Sequence, residues 1–314
     1  MNPVKVYVCV LNYNTFDKAR ICIDSCLRQS CSSFRIVLVD NASTDDSFLK
    51  LRELYGDGID YLQTGANYGY AKGNNLAVKY CLSKGGAYSF LLNSDTELVG
   101  ANLLKNLLGI IDEYAECAEC AIVSPTIFDV TSVGLRKVIC SSTYLKMLQF
   151  IGVLPRCEVY TEVLESINEA HGCALLINND KFLEVGGFPE HYFMYAEEGL
   201  LAKKIQWRGF KILAYKSNDD YILHNHDTSR KIDPWRSYLM GRNITLEFLE
   251  NRIGRSKLWT VVFYMYCIHV LMLCIKRKSF AQYRGIRDGF SIYSQGYSHE
   301  MCFEHGIAAK ERIK

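Results

Sequence analysis

The first half of the chain alternates short apolar runs with longer amphipathic stretches, and no other feature restricts its possible folds as much. Residues 4–11, 35–40, 88–93 and 121–127 are rich in Val, Ile, Leu and aromatics and end in polar turns. Helical patterns lie between and after them, at about 15–29, 44–56, 70–84 and 100–114. Strands alternating with helices of this length imply βαβ units and a mostly parallel sheet, so the expected class is α/β. Ser43-Thr44-Asp45-Asp46 reads as a helix N-cap after the second strand. From about residue 170 the pattern changes. A strand is expected over 172–178, then a turn at Gly186-Gly187-Phe188-Pro189 and an aromatic cluster at 191–195. A helix follows from Glu197 to about Trp207, then a strand-like run over 221–229 with two histidines, and an amphipathic helix over 233–252.

Active-site residues in open α/β sheets lie beyond the carboxyl ends of the strands. Three such ends are unusually polar here: Asn12-Tyr13-Asn14, Asp40-Asn41-Ala42-Ser43 and Asn93-Ser94-Asp95. A carboxylate at the third exit either holds a divalent cation bridging a diphosphate or closes an Asx turn. Asp40 either accepts hydrogen bonds from a nucleobase or ribose, or caps the next helix. The stretch Asn67-Tyr68-Gly69-Tyr70-Ala71-Lys72-Gly73-Asn74-Asn75 either lets backbone and Lys72 approach a phosphate or is a plain flexible loop. Glu197 and Glu198 are adjacent carboxylates opening a helix. Mutual repulsion raises at least one pKa, which suits a general base, and the bland alternative is a favourable helix N-terminus. The aromatic approach at 192–195 favours the functional reading, because sugar clefts use such platforms. His224 and His226 are either metal or phosphate ligands or ordinary polar residues at a strand end.

Charge and cysteine usage narrow the setting. Residues 252–314 carry 11 Lys/Arg against 4 Asp/Glu, whereas residues 1–251 carry 25 against 30. A near-neutral body with a basic tail points to a membrane surface for the tail, or to a merely solvated one; no nucleic-acid partner is expected. The 13 cysteines sit largely in apolar runs, as buried thiols do in a reducing compartment. Cys117 and Cys120 form a C-x-x-C with no second pair at zinc spacing and read as structural. The N-terminus has no basic n-region or cleavage site, so the catalytic body is expected to be cytoplasmic.

Taken together, the ordered segments V-L-N-Y-N (10–14), V-D-N-A-S-T-D (39–45), N-Y-G-Y-A-K-G-N-N (67–75), L-L-N-S-D-T (91–96), G-G-F-P-E (186–190), F-M-Y-A-E-E (193–198) and H-N-H-D-T-S (224–229) resemble the family-2 glycosyltransferases, most closely the rhamnosyltransferase-like branch that builds bacterial O-antigen, capsule and other surface polysaccharides. The resemblance implies a GT-A (Rossmann-like) fold, a nucleotide-sugar donor such as dTDP-rhamnose or a UDP-hexose, and inversion at the anomeric carbon. It implies a divalent cation, Mg2+ or Mn2+, as cofactor, held by Asp95 and His224. Asp40 then matches the base-recognising aspartate, and Glu198 the catalytic base with Glu197 beside it. Asn12, Asn14, Asn41, Asn67, Gly69, Lys72, Asn74, Asn93 and Ser94 fall to the donor pocket. Asn93-Ser94 stand where the metal motif more often has D-x, and Glu197-Glu198-Gly199 departs from the usual Glu-Asp. The expected acceptor is a saccharide, lipid-linked on undecaprenyl diphosphate. The alternatives are a processive polysaccharide synthase or a catalytically impaired carbohydrate-binding or assembly protein.

The expected organisation is a catalytic domain over 1–250, with donor half 1–115 and acceptor half 116–250, followed by a helical extension over 251–314. Residues 258–275 carry no Asp, Glu, Lys or Arg and have basic flanks. As a helix this block is roughly 27 Å long, at the short limit for a span. An interfacial helix is favoured over a span or a packed or homodimeric helix, because Trp259, Tyr264 and Tyr266 suit an anchor. The enzyme is thus expected to sit peripherally on the inner face of the cell membrane, in contact with it through residues 252–290.

Overall fold

Val6–Asn12 (β1) is buried almost throughout, on both sides of the strand, as befits a sheet enclosed between two helical layers. A computed structural model describes residues 5–117, 119–138, 157–225, 233–250, 257–277 and 279–296. In it β1 pairs in parallel with Phe34–Asp40 (β2) and Tyr88–Asn93 (β4), and β2 with Asp60–Gln63 (β3). Ala174–Asn178 (β11) joins β4 antiparallel and leads to Cys120–Ser124 (β6), Lys211–Tyr215 (β12), Leu164–Ser166 (β10) and Val159–Thr161 (β9). A smaller sheet has the order Thr96–Val99 (β5), Tyr221–His224 (β13), Ile127–Thr131 (β7) and Gly134–Lys137 (β8). The run 121–127 is therefore not one strand. Its trace leaves the large sheet at Pro125, which has no N–H for a ladder, and enters the small one at Ile127.

Strand alternation divides the core between the two faces. Val6, Val8, Val10, Ile36, Leu38, Phe90 and Leu92 pack with Ile23 and Cys26 of Phe16–Leu27 (α1) and Leu104 and Leu107 of Leu103–Cys117 (α4). Tyr7, Cys9, Val37, Val39 and Leu91 pack with Ala77, Val78 and Cys81 of Gly69–Ser83 (α3) and with Leu201, Ala202 and Ile205. Cys9, Cys22, Cys26, Cys81 and Cys120 are free and buried. Burial pushes the Cys120 thiol up to about 12, so it stays protonated and packs as an apolar group.

The chain divides into two compact units: Met1–Phe188 with Leu201–Thr228, and Pro189–Leu200 with Ser229–Lys314. In the second, the helices Pro234–Glu250 and Ala281–Ser294 lie backbone to backbone. A Cβ at Gly285 would collide with Tyr238 O, and one at Gly289 would meet Arg242 O at 2.9 Å, so only glycine permits this approach. The helix Lys257–Arg277 turns Val270 and Cys274 towards Ile286, and leaves Tyr264, Met265, Ile268, Met272 and Ile275 exposed on its other side. Among the described residues no helix is long and apolar enough to cross a membrane. Arg252, Arg255 and Lys278 lie outside the described residues.

Candidate active site

The parallel register sets Asn12 of β1 beside Asp40 of β2, and Leu11 beside Asn93 of β4, so the three polar exits form one edge. Side chains knit this edge together. Asn12 Nδ2 donates to Asp40 Oδ1 at 2.9 Å and to Ser43 Oγ at 3.1 Å, while Ser43 donates from its amide and hydroxyl to Asp40 at 3.0 and 2.6 Å. Asn14, left-handed at φ 57°, accepts from the Thr44 amide at 2.8 Å and donates to Thr44 Oγ1 at 3.0 Å. Thr15 Oγ1 bridges Asn12 Oδ1 and Ser94 Oγ, each at 2.8 Å. Asp40 is buried, and both its oxygens accept bonds inside this knot; it organises the edge from within.

Asn41 extends the network to the next loop. Its Nδ2 donates to Gly69 O at 2.9 Å and Asn67 Oδ1 at 3.2 Å, and its Oδ1 accepts from the Tyr68 amide. Asn67 Oδ1 also takes the Gly69 amide at 3.0 Å, which shapes the entry to α3. Lys72 Nζ lies 3.9 Å over the Tyr68 ring, and Asn74, buried, donates to Tyr70 O within its own helix. Neighbouring Asn75 exchanges two 3.0 Å bonds with the backbone of Phe188. Gly187 is left-handed at φ 62°, and a Cβ there would lie 2.7 Å from Asn75 Oδ1.

Beyond Ser94, Asp95 Oδ1 lies 3.5 Å from His224 Nε2, and Lys18 Nζ is 3.8 Å from Asp95 Oδ2. His224 Nδ1 faces Asp129 Oδ1 at 3.1 Å, and Arg136 holds the other Asp129 oxygen at 2.7 Å. Burial opposes the charged imidazolium, but hydrogen bonds and charge from Asp95 and Asp129 outweigh it and lift the His224 pKa above its ordinary value. For Asp95, burial pushes upward, while His224 and Lys18 prevail and hold the carboxyl below the usual carboxylate range. The Asp95 side chain keeps 23% of its surface open, against 9% for His224. Among the described residues no group of three or more His, Cys, Asp and Glu side chains is placed to hold a metal ion; Asp95 and His224 form a pair. His226, Asp227 and Ser229 lie outside the described residues.

Glu197 and Glu198 belong to the second unit, at the start of the helix Glu197–Trp207. Glu197 is buried, its Oε2 has no hydrogen-bond partner among the described residues, and burial, then the charge of Glu198, push its pKa well above the ordinary value. Glu198 is more open. The segment before them has an unusual backbone: Phe193, Tyr195 and Ala196 have φ of 68°, 72° and 69°. Phe193, with ψ −63° and a Met194 amide bond to Tyr192 O at 2.9 Å, is the centre of a γ-turn. Non-glycine residues in such regions cost on the order of 1–3 kcal/mol each and persist only where their surroundings over-determine them. Tyr192 and Phe193 are buried in apolar clusters rather than forming an open aromatic platform; Tyr195 is partly exposed, beneath Arg236 at 5.1 Å.

The sequence candidates thus fall into two sets. Asn12, Asn14, Asp40 and Ser94 share one network that reaches Asn41, Asn67 and Gly69, and Asp95 with His224 adjoins it in sequence. Glu197 and Glu198 are built in the other unit. Thr15, Lys18, Asp129 and Arg136 carry no motif and emerge only from the fold.

The largely parallel sheet between helical layers, with its polar strand exits, is the fold of the GT-A glycosyltransferases. It is similar to the S. aureus TarS 1–349 structure in complex with UDP-GlcNAc (TM-score 0.54, 20% identity, 78% of this chain and 66% of that one). It also resembles the mannosyltransferase PcManGT from Pyrobaculum calidifontis in complex with GDP-Man and Mn2+ (TM-score 0.54, 15% identity, 97% of this chain and 73% of that one). Residues 7–154 match Glycosyl transferase family 2, so the chain carries a domain of that family. Among curated relatives, the low-salt glycan biosynthesis hexosyltransferase Agl10 of Haloferax volcanii is 30% identical over 213 residues, spanning 66% of this chain and 64% of its own length. The rhamnosyltransferase WbbL of Escherichia coli is 23% identical over 220 residues, spanning 66% of this chain and 79% of its own.

Proposed function

We propose that the protein is an inverting, metal-assisted hexosyl- or rhamnosyltransferase that moves a sugar from a nucleoside diphosphate to a saccharide acceptor, lipid-linked, in surface-polysaccharide synthesis. The observation that carries this reading is the Asp95–His224 pair, 3.5 Å apart, beside the hydrogen-bonded exits of β1, β2 and β4. One oxygen and one nitrogen donor suit Mg2+ or Mn2+, which need few protein ligands when diphosphate oxygens complete the shell. The PcManGT complex, with GDP-Man and Mn2+, supports this choice. When bound, the ion offsets charge on the departing diphosphate. Asp129, clamped by Arg136, orients the His224 ring so that Nε2 faces Asp95.

Of the two glutamates, Glu198 is assigned the base. Glu198 is the more open of the two, whereas Glu197 is buried and burial, then the charge of Glu198, push its pKa well above the ordinary value. Glu198 removes the acceptor hydroxyl proton as the acceptor oxygen bonds to the anomeric carbon and the bond to the nucleoside diphosphate breaks with its electron pair. Asp40, Asn12 and Asn41 are assigned to the nucleoside end of the donor, and Asn67, Gly69 and Lys72 to its phosphates. The exposed row Tyr264, Met265, Ile268, Met272 and Ile275 supports contact with the membrane surface at the cytoplasmic side.

The test is nucleotide-sugar hydrolysis across a panel of dTDP-, UDP- and GDP-sugars with Mn2+ or Mg2+. Metal-dependent turnover of one donor, lost in Asp95→Ala, supports the reading; no turnover with any donor, or turnover indifferent to metal, contradicts it.

A further inference from the structure

Three left-handed residues in the four that precede Glu197 need something to hold them there. The holder lies on the helix Pro234–Glu250. Asn243, fully buried, aims one amide group at three carbonyls: Tyr192 O at 3.2 Å, Met194 O at 3.0 Å and Tyr195 O at 2.7 Å. Its two N–H bonds are thus shared among three acceptors along the strained segment. Arg242, also fully buried, donates from Nε to Asn243 Oδ1 at 2.9 Å and from Nη2 to Tyr192 O at 3.1 Å, fixing which way the Asn243 amide faces.

This pair is in turn held from behind. The Arg284-Gly285-Ile286-Arg287-Asp288-Gly289 stretch lets the helix Ala281–Ser294 press directly on the backbone of Tyr238 and Arg242. Asp288 accepts the Tyr238 hydroxyl at 2.9 Å, and Tyr238 packs in the cluster that contains Phe193. The glycine stretch thus belongs to the same device.

We propose that Asn243, oriented by Arg242, is a positioning residue that sets the reach of the Glu198 carboxylate by locking the 192–196 backbone. The inference rests on the assignment of Glu198 as the base. A displacement of about 1 Å at a reacting group lowers rates by about 100-fold. Asn243→Ala in the full chain is therefore expected to lower kcat about 100-fold, with the donor dissociation constant unchanged and faster amide exchange confined to residues 192–198. Asn243→Ser, which keeps one donor, is expected to fall between, and it carries the same reading if Asn243→Ala does not fold. Wild-type kcat in Asn243→Ala and Asn243→Ser, beside an inactive Glu198→Gln, overturns this proposal alone. Parallel loss of donor binding and kcat in the Asn243 variants also overturns it, since that marks general disruption. Full activity in Glu198→Gln overturns the base assignment and the proposal with it.

Discussion

Asn75→Ala tests whether two motifs separated by more than a hundred residues form one device. Asn75 is buried in α3 and exchanges two 3.0 Å hydrogen bonds with Phe188, so its removal strands one buried N–H and one buried C=O. Each stranded group costs about 1–3 kcal/mol, which gives a loss of roughly 2–6 kcal/mol. Phe188 is itself buried, with Tyr70 and Phe182 ring centroids each 5.3 Å away, so water reaches the stranded groups only by opening that cluster. For a domain of this size the loss corresponds to a Tm drop of roughly 4–24 °C. Asn74→Ala is the internal control: among the described residues its side chain donates only to Tyr70 O in the same helix, and about 1 kcal/mol is expected. The assay is urea or thermal unfolding of the three proteins side by side. A loss below about 0.5 kcal/mol for Asn75→Ala, or one no larger than for Asn74→Ala, refutes the reasoning.

The electrostatics of the Asp95–His224 pair give a pH signature. The raised His224 pKa contributes stability that is complete below the unfolded histidine value of about 6.5 and is lost as pH rises through the higher native value; the lowered Asp95 pKa contributes stability present above about 3.9 and lost as pH falls through the lower native value. The stability gap between wild type and His224→Ala is therefore widest between about pH 5 and 6.5, and urea melts that show it widening towards pH 9 contradict this. The two glutamates separate cleanly. Glu197→Gln alters a buried carboxyl whose pKa burial raises and is expected to cost less than tenfold in kcat, whereas Glu198→Gln removes the base and is expected to cost more than a hundredfold; the reverse order in a transfer assay reverses the assignment. Leu38→Ala, at a fully buried position of β2, is expected to cost about 2–5 kcal/mol in unfolding free energy; a loss under 1 kcal/mol would place Leu38 outside the core.

The parallel half of the sheet was legible because β1, β2 and β4 carry near-continuous apolar runs that end in Asn or Asp. The strands not read from sequence are short or interrupted. Asp60–Gln63 carries charge at its start, Thr96–Val99 hides directly behind the Asn93-Ser94-Asp95 exit, and Val159–Thr161 and Leu164–Ser166 have three residues each. The site's polar exits could be named because side-chain chemistry at a strand end is visible in sequence. What holds them could not. Asp129 lies beyond the apolar run at 121–127, and Arg242-Asn243 falls within a helix read only as amphipathic, yet both of that pair are fully buried. The left-handed backbone at Phe193 and Tyr195 is invisible for the same reason: bulky residues do not announce such angles, and only the surrounding hydrogen bonds impose them.

The central claim is that the Asp95–His224 pair holds a cation that in turn holds a nucleoside diphosphate. Calorimetric titration of UDP, dTDP and GDP into the wild type, Asp95→Ala and His224→Ala proteins, with and without Mn2+, tests it most directly. The predicted result is one nucleotide that binds the wild type at least tenfold more tightly with Mn2+ than without, and a metal effect that vanishes in both variants. Equal affinity with and without the ion in the wild type, or a metal effect that survives both substitutions, would contradict it.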